Sequence, residues 1–236
     1  MNSKGTVMKK CLPIRVNTIE ATRAIVARNE TRYDAFELWL DYLPPEELCR
    51  LNEVVHSTSK ECILLFRRDR LEPPLLALED RKGWIAVLQG ATIRWDFDIN
   101  VQEEELVFYR ESERISPLIT SYHHYERTPT TEELQGVLRR MERFAPTTVK
   151  FACYCHSRSD ALRLFEFLLF LQECGHEAIV LGMGKEGVIT RAFAGLYGCA
   201  YNFLPTAQEE VLEQTAMGQL TLEDFEALEE ILTKSK

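Results

Sequence analysis

Short apolar runs rich in β-branched and aromatic residues alternate along the chain with segments whose apolar positions recur at helical spacing. Cys11–Val16, Tyr33–Leu40, Cys62–Phe66, Thr92–Phe97, Pro117–Tyr122, Thr147–Cys153, Ala178–Leu181 and Cys199–Phe203 read as strands. Between them, Thr18–Asn29, Pro45–Ser57, Leu75–Gln89, Gln102–Glu113, a segment opening near Pro129, Ser159–Cys174 and Gly187–Leu196 read as helices. Thr221–Leu232 closes the chain as an amphipathic helix with Phe225, Leu228, Ile231 and Leu232 on one side.

The helix after the fifth strand is the best signalled. Thr128 fits its cap, Pro129 its first position, and Glu132 and Glu133 suit its positive N-terminal end. Leu134, Val137, Leu138 and Met141 then make one buried face. Gly175 ends the next helix. That helix is apolar on more than one side between Leu162 and Leu171, which predicts a covered outer surface.

Eight strand–helix units in 236 residues average roughly 30 residues each, the length of a compact βα unit. The strands are continuously apolar, which suits a parallel sheet covered by helices. Eight units favour a closed barrel over an open sheet. An open sheet wants a glycine-rich turn after its first strand, and Asn17 and Thr18 stand there. The expected fold is an α/β (β/α)₈ barrel, a single domain over residues 1–236.

Composition narrows the partners. Net charge is −9, from 28 basic and 37 acidic side chains. Such a surface repels nucleic acid and anionic membranes, so basic residues that matter sit in a local pocket. No apolar run reaches the ~18 residues a bilayer span needs. Met1 to Lys10 lacks the apolar stretch of a signal peptide. The seven cysteines are odd in number and scattered, several within strands. Reduced thiols in a cytoplasmic protein follow. Cys153, Cys155 and His156 lack the paired spacing of a zinc site, so no metal is expected.

In such a barrel the reacting groups lie at the C-terminal strand ends. Those ends carry Glu37, Trp39, Asp41, Arg67, Asp96, Asp98, His123 and Lys150, with Arg191 close to the seventh. Charged groups in strands are costly unless they face a wet cavity. Lys150 is flanked by apolar residues; burial lowers a lysine's pKa and frees a neutral amine to attack a carbonyl. A strand-edge lysine reaching water, or one paired with an acid, fits the same pattern. His123 and His124 both follow the fifth strand and both suit proton transfer, and spacing does not choose between them. Arg67 and Arg191 offer planar donor forks for a carboxylate or hydroxyls. Arg67 also opens the run Arg67-Arg68-Asp69-Arg70, which fits a solvated charge cluster equally well.

Six segments, in order, resemble one known family. They are Phe36-Glu37-Leu38-Trp39-Leu40-Asp41, Leu65-Phe66-Arg67, Ser121 to Pro129, Val149-Lys150-Phe151-Ala152, Gly182 to Arg191 and Ala216-Met217-Gly218-Gln219. The chain resembles the type I 3-dehydroquinate dehydratases of the shikimate pathway from about Pro13 to Leu232. The resemblance implies a (β/α)₈ barrel, usually a homodimer, without metal or cofactor. Lys150 would form an imine with the C3 ketone of 3-dehydroquinate. His123, rather than His124, would take a proton from C2 and help the C1 hydroxyl leave, giving 3-dehydroshikimate. Glu37, Arg67, Arg191, Thr215 and Gln219 would contact the substrate, Arg191 and Gln219 at its carboxylate.

The departures keep two alternatives open. Trp39 stands where the family has an arginine, Thr215 where a serine is usual, and Asp96-Phe97-Asp98 replaces Asp-Leu-Glu. The loop Arg68 to Pro74 differs throughout. A Schiff-base lyase or aldolase acting on another small carbonyl acid fits these changes, as does a barrel of low or no activity.

Overall fold

The computed structural model describes residues 7–67, 69–112, 115–207 and 216–234. Eight strands run parallel: β1 (Lys9–Ile14), β2 (Ala35–Trp39), β3 (Glu61–Leu65), β4 (Ile93–Asp98), β5 (Leu118–His124), β6 (Thr148–Tyr154), β7 (Glu177–Met183) and β8 (Tyr201–Phe203). Their order is β7-β6-β5-β4-β3-β2-β1-β8, so each strand lies beside its sequence neighbour and β1 also pairs with β8. The seam between β7 and β8 is bridged where Ala200 N–H donates to the Ala178 carbonyl at 2.8 Å. The result is a nearly closed (β/α)₈ barrel in a single domain.

The helices are α1 (Ile19–Asn29), α2 (Pro45–Leu48), α3 (Asn52–Val55), α4 (Leu78–Val87), α5 (Glu103–Glu111), α6 (Thr131–Glu142), α7 (Arg158–Glu173), α8 (Val188–Ala192) and α9 (Leu222–Thr233). The helices differ from the sequence expectation at four points. The helix expected over Pro45–Ser57 is two short pieces, α2 and α3. The one expected over Gly187–Leu196 is α8 followed by a 3₁₀ turn at Ala194–Tyr197. The cap of α6 is Thr130, not Thr128. The Thr130 hydroxyl accepts from Glu133 N–H while the Glu133 carboxylate accepts from Thr130 N–H, a closed capping box. The Thr128 hydroxyl instead donates to the Tyr154 carbonyl at 2.8 Å. On α9, Ile231 is exposed, and Leu222 joins Phe225 in the buried face. Gly175 does end α7, at φ +85°.

Alternation along each strand sorts the side chains. Trp95 and Phe97 of β4 point outward, where Trp95 stacks between Phe66 and Phe97 at 5.6 Å from each and its indole donates to the Leu88 carbonyl at 3.0 Å. Trp95→Ala would cost about 3–5 kcal/mol through the cavity left behind. Phe151 of β6 meets Phe167 of α7 edge to face. Arg94, Asp96 and Asp98, the alternate residues of β4, turn into the barrel. At the N-terminal end, Glu61 accepts from Lys9, Arg94 and the Tyr201 hydroxyl, a set of paired charges that plugs that mouth. The opposite end is where the remaining inward charges collect.

Candidate active site

Lys150 is the third residue of β6, and the side chains of its neighbours Val149 and Phe151 pack outward. Its own side chain crosses the barrel, where Nζ donates to Asp96 Oδ2 at 2.9 Å and to Glu37 Oε1 at 3.1 Å. The ammonium also sits 4.1 Å from the Phe203 ring centroid. Only 6% of the side chain is exposed. Burial pushes the lysine pKa down, as expected from the sequence, but the two carboxylates outweigh it and the net shift is upward. The expected neutral amine is therefore corrected: Lys150 rests as an ammonium.

Asp96 is the hub beneath it. Its second oxygen accepts from Arg67 Nη2 at 2.9 Å and from the Ser121 hydroxyl at 2.5 Å. Burial alone would raise its pKa, yet Arg67 and Lys150 hold it well below the ordinary carboxylate range. Arg67 is 3% exposed, so the charge-run reading of Arg67 to Arg70 does not describe this residue.

His123 lies within β5, not beyond it. Asp98 Oδ2 contacts His123 Nδ1 at 2.8 Å and also accepts from the His123 backbone N–H at 3.1 Å. A carboxylate on Nδ1 keeps the ring proton there and leaves the Nε2 lone pair outward. That nitrogen stands 3.4 Å from Arg67 Nη1. Burial and the Arg67 charge lower the imidazole pKa against the opposing pull of Asp98, so the ring is neutral at pH 7. His124 does something else: its Nδ1 accepts from the backbone N–H groups of Glu126 and Arg127 and closes a turn.

The loop after β7 positions Arg191. Gly182 and Gly187 lie so close that a Cβ on Gly182 would come within 2.6 Å of the Gly187 Cα, so the turn admits no side chain there. Thr190 ties it, accepting from Gly182 N–H and donating to the Gly187 carbonyl, both at 2.7 Å. Arg191 Nε then donates to the Gly182 carbonyl at 2.9 Å, and Asn202 holds the Arg191 carbonyl. Among the described residues no carboxylate lies within ion-pair distance of this buried guanidinium, and burial pulls its pKa down to about 10.

Lys150, His123, Glu37, Arg67, Arg191 and Gln219 all line one cavity of about 40 Å³, with Trp39, Tyr125, Met183 and Phe203 completing its walls. Thr215 lies outside the described residues. Sequence reasoning named Asp96 and Asp98 as strand-end acids without giving them roles. The signal was their spacing: two acids two residues apart on a strand point the same way. Tyr125, whose ring stacks on His123 at 6.1 Å, carried no such signal. Lys150, Arg67, Arg191, Glu37 and the neutral imidazole of His123 line the cavity, with Asp96 and Asp98 behind them; among the described residues Arg191 is the lining cation without a carboxylate partner.

The profile of the type I 3-dehydroquinase family matches residues 10–236. The chain belongs to that family. Solved 3-dehydroquinate dehydratases share the fold of this type I 3-dehydroquinase family member at low identity. That of Geobacillus kaustophilus is 22% identical, with a TM-score of 0.80 over 96% of this chain and 91% of that one. That of Aquifex aeolicus is 23% identical, with a TM-score of 0.76 over 96% and 100%. The type I enzyme of Clostridium difficile, solved with covalently modified comenic acid, is 21% identical, with a TM-score of 0.73 over 97% and 93%.

Proposed function

We propose that this type I 3-dehydroquinase, a carbon–oxygen lyase acting on 3-dehydroquinate, works through Lys150 as imine-forming residue and His123 as proton carrier. The observation that carries the assignment is that Lys150 and His123, the latter oriented by Asp98, face one cavity that also holds an arginine without a carboxylate partner among the described residues. The C1 carboxylate pairs with Arg191, beside Gln219, which brings the C3 ketone to Lys150. The ammonium and the ketone give a protonated imine and one water, two of the three N–H protons leaving with the ketone oxygen. Asp96 and Glu37, in contact with Nζ, relay those protons. Nε2 of His123 then takes a proton from C2, and the C–H electrons move toward the imine nitrogen. As they return, the C1–O bond breaks and the hydroxyl leaves as water with the proton from His123. Hydrolysis of the imine releases 3-dehydroshikimate. Glu37 and Arg67 face the ring hydroxyls.

Two coarser attributes belong to the same reading. Among the described residues no helix is long and apolar enough to cross a membrane. The resemblance supports a cytoplasmic homodimer, and the exposed Leu162 and Leu169 on α7 offer apolar surface for the dimer contact. Size-exclusion chromatography with light scattering reads the oligomeric state.

Incubation with 3-dehydroquinate and borohydride, followed by mass analysis, tests the chemistry. The expected result is a reduced adduct on Lys150, absent in Lys150→Ala, and a rise in dehydroshikimate absorbance without borohydride. Neither signal at millimolar substrate would sink both the substrate and the role of Lys150. An adduct without turnover would point to a Schiff-base enzyme for another carbonyl acid.

A further inference from the structure

Among the described residues Glu37 has one partner on each oxygen: Lys150 Nζ at 3.1 Å on Oε1 and the Trp39 indole Nε1 at 2.8 Å on Oε2. Glu37 is 3% exposed and Trp39 6%, so water replaces neither donor readily. The indole is itself braced, with the Tyr42 ring 6.2 Å away and the Arg15 guanidinium 4.8 Å from the Tyr42 ring centroid.

The two donors differ in permanence. Imine formation rests on the function proposed above, and it changes the Lys150 nitrogen. The ammonium carries three N–H bonds and the protonated imine one, the other two hydrogens departing in water. Two carboxylates, Asp96 and Glu37, share that nitrogen at rest, and one N–H cannot serve both. Asp96 keeps Arg67 and Ser121 whatever happens to the lysine. Among the described residues Glu37 then keeps only Trp39.

We propose that Trp39 is the positioning residue that holds Glu37 in place while Glu37 exchanges its ammonium partner for a substrate hydroxyl. Oε1 lies beside the nitrogen that becomes the imine, so the hydroxyl it receives is on the adjacent carbon, C4; C2 on the other side bears only hydrogen. A buried carboxylate that loses one donor and lacks the other would be left unsatisfied, which is the costly state. The indole N–H prevents it, and because that N–H is turned to Glu37, Trp39 offers the substrate only an apolar ring face.

Three measurements test this. In free enzyme, the Trp39 indole proton resonance, assigned by its loss in Trp39→Phe, is expected to move upfield when Glu37→Ala removes the acceptor; a resonance that stays put overturns the proposal without reference to any substrate. With 3-dehydroquinate, Trp39→Phe is expected still to form the Lys150 adduct but to lose roughly tenfold in kcat/KM. Deleting the C4 hydroxyl from the substrate is expected to cost wild type about tenfold and Trp39→Phe almost nothing, because the two losses share one interaction. Trp39→Gln, which restores an N–H, is expected to recover part of both. Losses that multiply independently overturn the role of Trp39 alone. A wild-type protein that forms no adduct overturns the reading beneath it.

Discussion

Lys150 Nζ and Asp96 Oδ2 stand 2.9 Å apart across the barrel, and the lysine rests charged because of it. Burial by itself would have made a neutral amine. The carboxylate reverses that, and with Glu37 it places two proton acceptors against the nitrogen that loses protons in the proposed imine formation.

Removing that carboxylate is expected to strain the fold before it tests the chemistry. Asp96→Asn leaves two buried cations, Lys150 and Arg67, short of a partner. The expected cost is about 3–5 kcal/mol, read by urea or thermal unfolding. The pH dependence has a defined sign. Asp96 is held below its unfolded value, so its contribution is present above about pH 4 and is lost as pH falls. Lys150 is held above its own, so its contribution persists through neutral pH and is lost at the alkaline end, as pH rises through the raised value. The variant is expected to flatten stability at both ends; an unchanged profile would mean the pair is not coupled to folding.

Asp98 does not line the cavity; its contacts with His123 set the state of that ring. With burial and Arg67 lowering the imidazole pKa, the neutral base is expected to persist below the usual imidazole range. The acid limb of kcat/KM is therefore expected at lower pH than for a free imidazole. Asp98→Asn removes the main charge that opposes this, and an amide there can hold either tautomer. The limb is expected to move lower still, and the plateau to fall about 10²–10⁴-fold. A plateau unchanged in the variant would remove His123 from proton transfer.

Arg191 is expected to act on binding. Arg191→Lys keeps a charge but loses the fork and the Nε donor to the Gly182 carbonyl. Loss of charge-assisted contacts worth about 1.5–3 kcal/mol corresponds to roughly ten- to hundredfold in KM. Inhibition constants for simple monocarboxylates are expected to rise in parallel, while those of uncharged ketones stay level. Equal losses for both would assign Arg191 to the loop and not to the carboxylate.

Much of this protein is legible along the chain. Continuous apolar strands separated by helical repeats give the barrel, because a parallel strand covered on both faces carries apolar residues on both; β4, whose Asp96 and Asp98 turn inward, is the departure. The same reading placed Lys150, His123, Glu37 and Arg67 at strand ends, where a barrel collects its chemistry, and Arg191 close to the seventh strand. Helix ends were less legible. The sequence points to Thr128 as the cap of α6; the folded chain caps it with Thr130, and the Thr128 hydroxyl goes to the Tyr154 carbonyl on the neighbouring strand.

Charge state and partnership were decided by folding alone. Lys150 and Asp96 are 54 residues apart and Lys150 and Glu37 113. No local pattern says whether a buried lysine meets carboxylates, and that meeting turns its pKa from down to up. His123 and His124 are adjacent and alike in sequence; the strand's pleat sends one into the cavity against Asp98 and the other to a turn. Trp39 reads from sequence as the loss of a cation, and the folded chain makes it a donor to Glu37. Local sequence determines which faces are apolar because that needs only periodicity. Electrostatics depends on distance through space, which only barrel closure sets.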